Sequence, residues 1–328
     1  MKVAILKLSA LGDIIQTAIA VKQWKALNSD ISVCWIVEKR FADFVHSLDF
    51  ISEVIALDIQ GLKNNFSFKF FFSELKKLKG VQFDEMYDLQ GNFKSFCVSF
   101  FIKSKLKVGF SKNCIPEKIA LLGLDNKIDV ISKNWIVDQY YSLLSKGLSN
   151  YKGGNTFDCY KKNDSTIIFI AIGSRWNNKK LSTNMWIKII RYIEKELNLV
   201  CMLPFSSYEE EKEVDHIIQN CRFAKKFPKS NLKELKNEFS SAKAVIGVDS
   251  ALIHLAKLSG VPTFCFFGPS SGKVYCEKIS EFFQSKCPEN IFFEKRCPYL
   301  RTCSHANCLK SLNEPEQITE LMMFLFHL

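Results

Sequence analysis

The chain has no apolar run long enough to span a membrane. Its longest runs, "TIIFIAI" and "VPTFCFF", stop far short of the ~20 residues a spanning helix needs. Zinc-finger spacings and basic-aromatic motifs are absent, so nucleic acid is not the expected partner. No G-x-G-x-x-G follows a strand-like run, which leaves a nicotinamide dehydrogenase poorly supported. The N-terminus has charges at Lys2, Lys7 and Asp13 and no cleavage-like site. It reads as a first strand rather than a signal peptide, and a cytoplasmic protein is expected.

What is present is a chain of 328 residues, 47% hydrophobic and 24% charged, which reads as globular with room for two domains. The net charge of +11 is mostly lysine. It fits an acidic partner such as phosphorylated lipid or an anionic membrane face, or else a Lys-, Asn- and Phe-rich compositional bias. Of twelve cysteines, Cys34, Cys97, Cys114, Cys159, Cys201, Cys221 and Cys265 are scattered and read as small hydrophobes or plain thiols. Cys276, Cys287, Cys297, Cys303 and Cys308 lie late in the chain. Within "CPYLRTCSHANC" the spacing is C-x5-C-x4-C, with His305 inside and no C-x2-C knuckle. Free thiols are the leading reading there, with zinc and a disulfide as alternatives, and no metal site is assigned.

Strand-like and helical patterns alternate throughout, the mark of parallel α/β units. Strands are expected near 2–8, 31–37, 52–57, 84–88 and 107–109, with helices near 13–28, 40–48, 69–79, 92–102 and 134–147. "SNYKGGN" at 149–155 breaks the pattern and is the expected linker. The alternation restarts with a strand at 165–173 and an amphipathic helix at 183–197, whose Trp186, Ile189, Ile190, Ile193 and Leu197 share a face. A strand at 199–204, a charged helix at 207–220, a strand–turn–helix–strand in "AKAVIGVDSALIHLAKLSGVPTFCFFG" and a C-terminal helix follow. The expected fold is therefore α/β, two Rossmann-like domains facing across a cleft, with ligands at the C-terminal ends of the strands.

Two turns carry the chemistry. In "VIGVDSALIHLAKLSG" a strand ends at Val248, Asp249 is placed as an N-cap, and Ser250, Ala251 and Leu252 open a helix. Small residues let a pyrophosphate approach the helix N–H groups at the positive end of the dipole, and His254 lies one turn in. An ordinary capped helix explains the same residues. The stretch "GSRWNNKKL" adds Ser174, Arg175 and Lys179 as diphosphate donors, and Glu209 follows a strand where a ribose hydroxyl is often held. In "KLSALGDIIQT", by contrast, Asp13 puts a carboxylate where a βα turn usually offers amides to a phosphate. From the residues alone it is a helix cap or a general base.

These pieces resemble the ADP-heptose:lipopolysaccharide heptosyltransferase family, glycosyltransferase family 9. The resemblance is carried by "KLSALGDIIQT", "WIVEKRFADFV", "FDEMYDLQGNFKS", "KKLSTNMW", "LPFSSYEEEK", "AKAVIGVDSALIHLAKLSGVPTFCFFGPS" and "LNEPEQI", in order from residue 1 to about 318. It is strongest to the type that adds the first heptose onto Kdo. The resemblance implies a GT-B fold, with an acceptor-binding domain at 1–150 and a nucleotide-sugar-binding domain with the C-terminal helix at 156–328. It implies inverting transfer of heptose from ADP-heptose to the Kdo region of lipid A, with no cofactor or metal required. Asp13 takes the place of the catalytic base, Lys179 of the phosphate lysine and Glu209 of the ribose glutamate.

Asp249, Ser250, Ala251 and His254 match the family's Asp-Thr-Gly-x-x-His, with Ser250 keeping the hydroxyl and Ala251 adding a methyl. Ser230 stands in the adenine-pocket position, often apolar in the family. On the acceptor side the resemblance points to Lys63 and Lys69 in the Lys- and Phe-rich stretch 61–80. Gln90, Gly91 and Lys94 of "DLQGNFKS" join them, with Lys112 and Lys118 further off. Peripheral contact with the inner face of an inner membrane is expected. Transfer of a later heptose, another nucleotide sugar, or binding without turnover are the alternatives.

Overall fold

The computed structural model describes residues 1–59, 68–130, 135–146, 164–276, 280–305, 307–310 and 314–328, without the side chains of 68–71 and 314–317. The expected linker at 149–155, Lys63 and Cys159 lie outside the described residues. The chain divides into two compact units, Met1–Gly154 and Asn155–Leu328.

The first unit holds six parallel strands: β1 (Lys2–Leu6), β2 (Ser32–Glu38), β3 (Glu53–Leu57), β4 (Gln82–Asp88), β5 (Lys103–Phe110) and β6 (Asn126–Ile128). The second holds β7 (Ile167–Ala171), β8 (Val200–Leu203), β9 (Ala224–Lys226), β10 (Ala244–Val248), β11 (Thr263–Phe267) and β12 (Ser280–Gln284). The sheets run β3-β2-β1-β4-β5-β6 and β12-β11-β10-β7-β8-β9. Counted from its own first strand, the second sheet has the same order as the first read from its other edge. Both are doubly wound, and in each the order reverses between the first and fourth strands.

Sequence pattern explains most elements. β1 and β10 are apolar runs buried on both faces, as central parallel strands under helices must be, whereas β4 is mixed and buried mainly at its C-terminal end. The helix Leu11–Ala26 buries Ile14, Ile15, Ala18, Ile19 and Val21 and packs on the helix Ile136–Leu144. The helix Thr183–Leu197 is capped by Ser182, whose hydroxyl accepts from Met185 N–H, and stops at Asn198 with φ 51°. Its Trp186, Ile189, Ile190 and Ile193 enter the second core, as the spacing predicts, while Leu197 packs at the edge. The C-terminal helix Glu314–Phe326 adds Leu321, Met322, Phe324 and Leu325 to that core.

Sequence reading missed β6, β9, β12 and the helix Leu232–Ser240. The three strands are short or carry charge, and pairing with β5, β8 and β11, rather than local pattern, makes them strands. β5 also starts four residues earlier than expected, because Lys103 and Ser104 pair with Gln82 and Phe83 of β4. Among the described residues no helix is long and apolar enough to cross a membrane.

Candidate active site

In each unit the residues of interest gather at the switch point, where the loops after the first and fourth strands diverge. In the first unit these are the loops after β1 and β4. Lys7, just past β1, is buried. Its ammonium donates to the Leu89 carbonyl at 2.7 Å and to the Tyr140 hydroxyl at 2.9 Å, and lies 4.7 Å from the Tyr140 ring centroid. Burial alone would lower this lysine, but Tyr140 and the fields of Asp13 and Asp88 outweigh it and hold it raised.

Asp88 ends β4, buried. One carboxylate oxygen accepts from the Gln90 and Gly91 amides, each at 2.9 Å, and the other from the Ser95 hydroxyl at 2.8 Å. Burial raises its carboxyl above the usual range in spite of those bonds and of Lys7. The turn it fixes needs Gly91 at φ 65°, where a Cβ would lie 2.9 Å from Pro116. Gln90 then reaches across to the first loop, its Oε1 accepting from Leu8 N–H at 3.1 Å and Ser9 N–H at 3.2 Å.

That loop leads into the helix Leu11–Ala26. The N-cap is Ala10, which has no capping side chain, so Asp13 is not the N-cap. It stands at the third helical position and accepts from the Ala10 amide at 3.3 Å, half a capping box. Asp13 is half-buried.

In the second unit the loops after β7 and β10 meet around Asp249. Its Oδ2 accepts from both the Lys179 ammonium and the Ser270 hydroxyl, and its Oδ1 lies 3.5 Å from His254 Nε2. All four residues are buried. Burial would raise the Asp249 carboxyl, but Lys179, then His254, drive it far below the usual carboxylate range. Burial, helped by the nearby Lys257 and Lys179 charges, lowers His254 in spite of Asp249, so its imidazole is neutral at neutral pH. The N-cap of the helix Ala251–Ser259 is Ser250, not Asp249. Ser250 makes no capping bond, and its buried Oγ has no hydrogen-bond partner among the described residues. The helix start thus offers unused amides at its positive end, with a spare hydroxyl beside them.

Residues 72–278, more than half of the chain, match the family described as Glycosyltransferase family 9 (heptosyltransferase). The chain belongs to glycosyltransferase family 9. This transferase is 27% identical to lipopolysaccharide heptosyltransferase 1 of Campylobacter coli, over 96% of the chain and 98% of the relative. It is 22% identical to lipopolysaccharide heptosyltransferase 1 of Escherichia coli K12, over 82% and 88%. Its fold is that of the E. coli heptosyltransferase WaaC solved with ADP, with TM-score 0.79, 19% identity and coverage of 100% and 99%. The WaaC structure solved with ADP-2-deoxy-2-fluoro heptose matches equally.

The other expected site residues of the transferase fall in several places. Ser174 is half-buried just past β7, whereas Arg175 is exposed with its guanidinium 5.6 Å from the Trp176 ring. Ala251 and Leu252 are half-buried at the helix start. Glu209 is exposed at the first turn of the helix Tyr208–Asn220, its carboxyl lowered by its own backbone amide and by Ser207. The next residue is the one that faces the β7 loop. Glu210 accepts from Ser206 N–H at 2.8 Å and lies so close to Gly173 that a Cβ there would be 2.7 Å from its carboxyl carbon. Sequence reading took Glu210 for a solvated helix residue, and the glycine opposite was the missed signal.

Ser230 is half-buried in a turn, its hydroxyl donating to the Pro228 carbonyl at 2.9 Å. Lys94 is half-buried, and Lys112 and Lys118 are exposed. Lys69 lies on the helix Phe68–Lys76, its side chain outside the described residues. Gln90 and Gly91 are engaged within their own unit as described. Lys7, Asp88 and Ser270 went unmarked in the sequence, although a charge at the end of an apolar strand is a visible anomaly. Cys287, Cys297, Cys303 and Cys308 are free thiols. Their segment packs beside the Lys179 turn through Asn178 Nδ2, which donates to the Leu300 carbonyl at 2.9 Å.

Two outcomes follow from these bonds. Gln90→Leu strips two partly buried amides of their acceptor and is expected to cost about 1–3 kcal/mol in chemical denaturation. It should also speed hydrogen exchange at Leu8 and Ser9, while Gln90→Glu, which keeps the oxygen, protects them. Asp249→Asn leaves the Lys179 cation buried without its counter-charge and is expected to cost about 3–5 kcal/mol. Because the Asp249 carboxyl is depressed on folding, its contribution is complete above about pH 4 and is lost as pH falls through the folded value. The acid limb of the wild-type stability curve should therefore be steeper than that of Asp249→Asn.

Proposed function

We propose that the transferase moves heptose from ADP-heptose onto the Kdo region of lipid A, with inversion at the anomeric carbon. The acceptor hydroxyl oxygen forms the new bond to that carbon while the bond to the ADP phosphate oxygen breaks. ADP leaves with the electron pair, and Asp13 takes the hydroxyl proton. The observation that carries the reading is the contrast between the two helix starts. The first has a half-exposed carboxylate in its opening turn, fit to accept a proton. The second has amides, the unpartnered Ser250 hydroxyl and the Lys179 charge behind them, fit to hold a diphosphate and absorb the charge it gains.

Ser174 and Glu210, with Glu209 beside it, line the β7 side and suit phosphate and ribose. Ser230 is the candidate near the adenine. The positive end of the helix and Lys179 meet the leaving group without a metal or cofactor. Lys63, Lys69, Lys94 and Lys112 supply cationic contacts for an acceptor rich in carboxylate and phosphate. The names of the Campylobacter and E. coli relatives, and the ADP and fluoro-heptose ligands of WaaC, support the choice of donor and core acceptor. Such an acceptor puts the enzyme at the inner face of the inner membrane, peripherally bound.

The test is a transfer assay with ADP-heptose and Kdo2–lipid A, with product configuration read by NMR and an EDTA-treated control. Inverted product at an undiminished rate in EDTA is expected. Binding of ADP without product from this pair contradicts the sugar or acceptor assignment and turns attention to a later heptose, another nucleotide sugar or a non-catalytic role. Abolition by EDTA contradicts the metal-free mechanism.

A further inference from the structure

Among the described residues, the first unit exposes an apolar surface that its own packing does not cover. The helix Phe93–Ser99 packs on the 3-10 turn Lys118–Gly123, so closely that a Cβ on Gly123 would lie 2.7 Å from Ser99 Oγ. The outer faces of these two elements carry Phe93 at 58%, Phe100 at 61%, Ile119 at 39% and Leu122 at 73% exposure. Phe96 stacks edge-on against Phe100 at 4.8 Å. Phe101 in turn carries Phe72, 52% exposed, edge-on at 6.3 Å. Scattered exposed hydrophobes are ordinary, but a joined set on two packed elements marks an interaction surface.

The charge around it says what it meets. Residues 93–127 contain seven lysines and two acids. Both acids are spent on backbone amides: Glu117 accepts from Phe93 N–H at 2.9 Å and Asp125 from Lys107 N–H at 2.8 Å. Lys103, Lys112, Lys118 and Lys127 are exposed. Rings and aliphatic groups on two elements that also carry Lys94 and Lys118 suit a leaflet of anionic lipid, where the rings enter the acyl boundary and the cations meet phosphates.

The surface is also tied to the chemistry. Its helix begins just beyond the Gln90–Gly91 turn, which Asp88 fixes and which Gln90 bonds to the loop leading into Asp13. We infer that the face formed by Phe93, Phe100, Ile119 and Leu122 docks the first unit on an anionic lipid surface. Docking there brings a lipid-borne acceptor hydroxyl to the sheet end that carries Asp13. The docking itself stands on the surface alone, while its use in catalysis rests on the lipid acceptor proposed above.

The experiment is vesicle flotation of the full chain and of the double variant Phe100→Ser/Leu122→Ser. Vesicles are phosphatidylcholine alone or phosphatidylcholine with phosphatidylglycerol. Both variants are also assayed for transfer to vesicle-embedded acceptor and to a water-soluble acceptor without acyl chains. The wild type should float only with the anionic vesicles, and the double variant should bind them at least ~10-fold more weakly. Transfer to the soluble acceptor should stay within ~2-fold of wild type, with the loss confined to vesicles. Equal flotation of wild type and variant overturns the inference. So does a wild-type dimer that the substitutions dissociate without changing flotation, since a second copy then covers the face. If neither acceptor is ever glycosylated but flotation behaves as expected, the proposed function fails and the docking surface stands.

Discussion

The buried pairing of Lys179 with Asp249 is the interaction on which the second unit's site depends. A doubly wound sheet leaves its first and fourth strands side by side with loops that turn opposite ways, so the crevice between them has polar strand ends and no covering helix. Here the crevice is closed by charge. Asp249 gathers Lys179 from the β7 loop, Ser270 from beyond β11 and His254 from the helix above. Such a pair is of small net worth against an apolar substitute, but breaking one side is costly. Its effect is to fix the β7 loop to the β10 loop and to keep a positive charge behind the start of the helix Ala251–Ser259.

The first unit solves the same problem with the same residue types placed differently. Lys7 comes from the loop after β1 and Asp88 from the end of β4, and both are buried. They do not bond directly. Lys7 goes to a carbonyl and a tyrosine, and Asp88 goes to the amides of the next turn. The helix that follows then decides the chemistry. In the first unit Asp13 occupies its opening turn and uses up the positive end that a phosphate would want. In the second the opening residues are Ser250, Ala251 and Leu252, which leave that end open. On the proposed reaction, one topology thus serves as base in one half and as anion site in the other.

Much of this was legible in the sequence. The alternation of strand and helix, the two halves, Asp13 after its glycine, and the Asp249-to-His254 run all stand out by spacing. What spacing does not carry is direction. Asp249 and Asp13 both read as N-caps, yet Ser250 and Ala10 hold those positions. Asp249 turns to Lys179, which comes from another loop, while Asp13 turns back to the Ala10 amide of its own. Glu209 and Glu210 are the same residue type in the same first turn, and the missing Cβ of Gly173 marks the one that faces the β7 loop. Gln90 reads as a ligand contact because it follows a strand, but the amides that donate to it lie on the neighbouring loop, 81 and 82 residues away in the chain. The strands missed, β6, β9 and β12, owe their form to pairing rather than to their own residues.

The central claim is a division of labour, with the proton taken in the first unit and ADP held in the second. It is tested most directly by Asp13→Ala, measured for both transfer rate and ADP affinity on the same preparation. The account predicts a rate lower by ~10²-fold or more with ADP affinity unchanged. A variant that turns over like wild type, or one that loses ADP affinity in step with its rate, would contradict it.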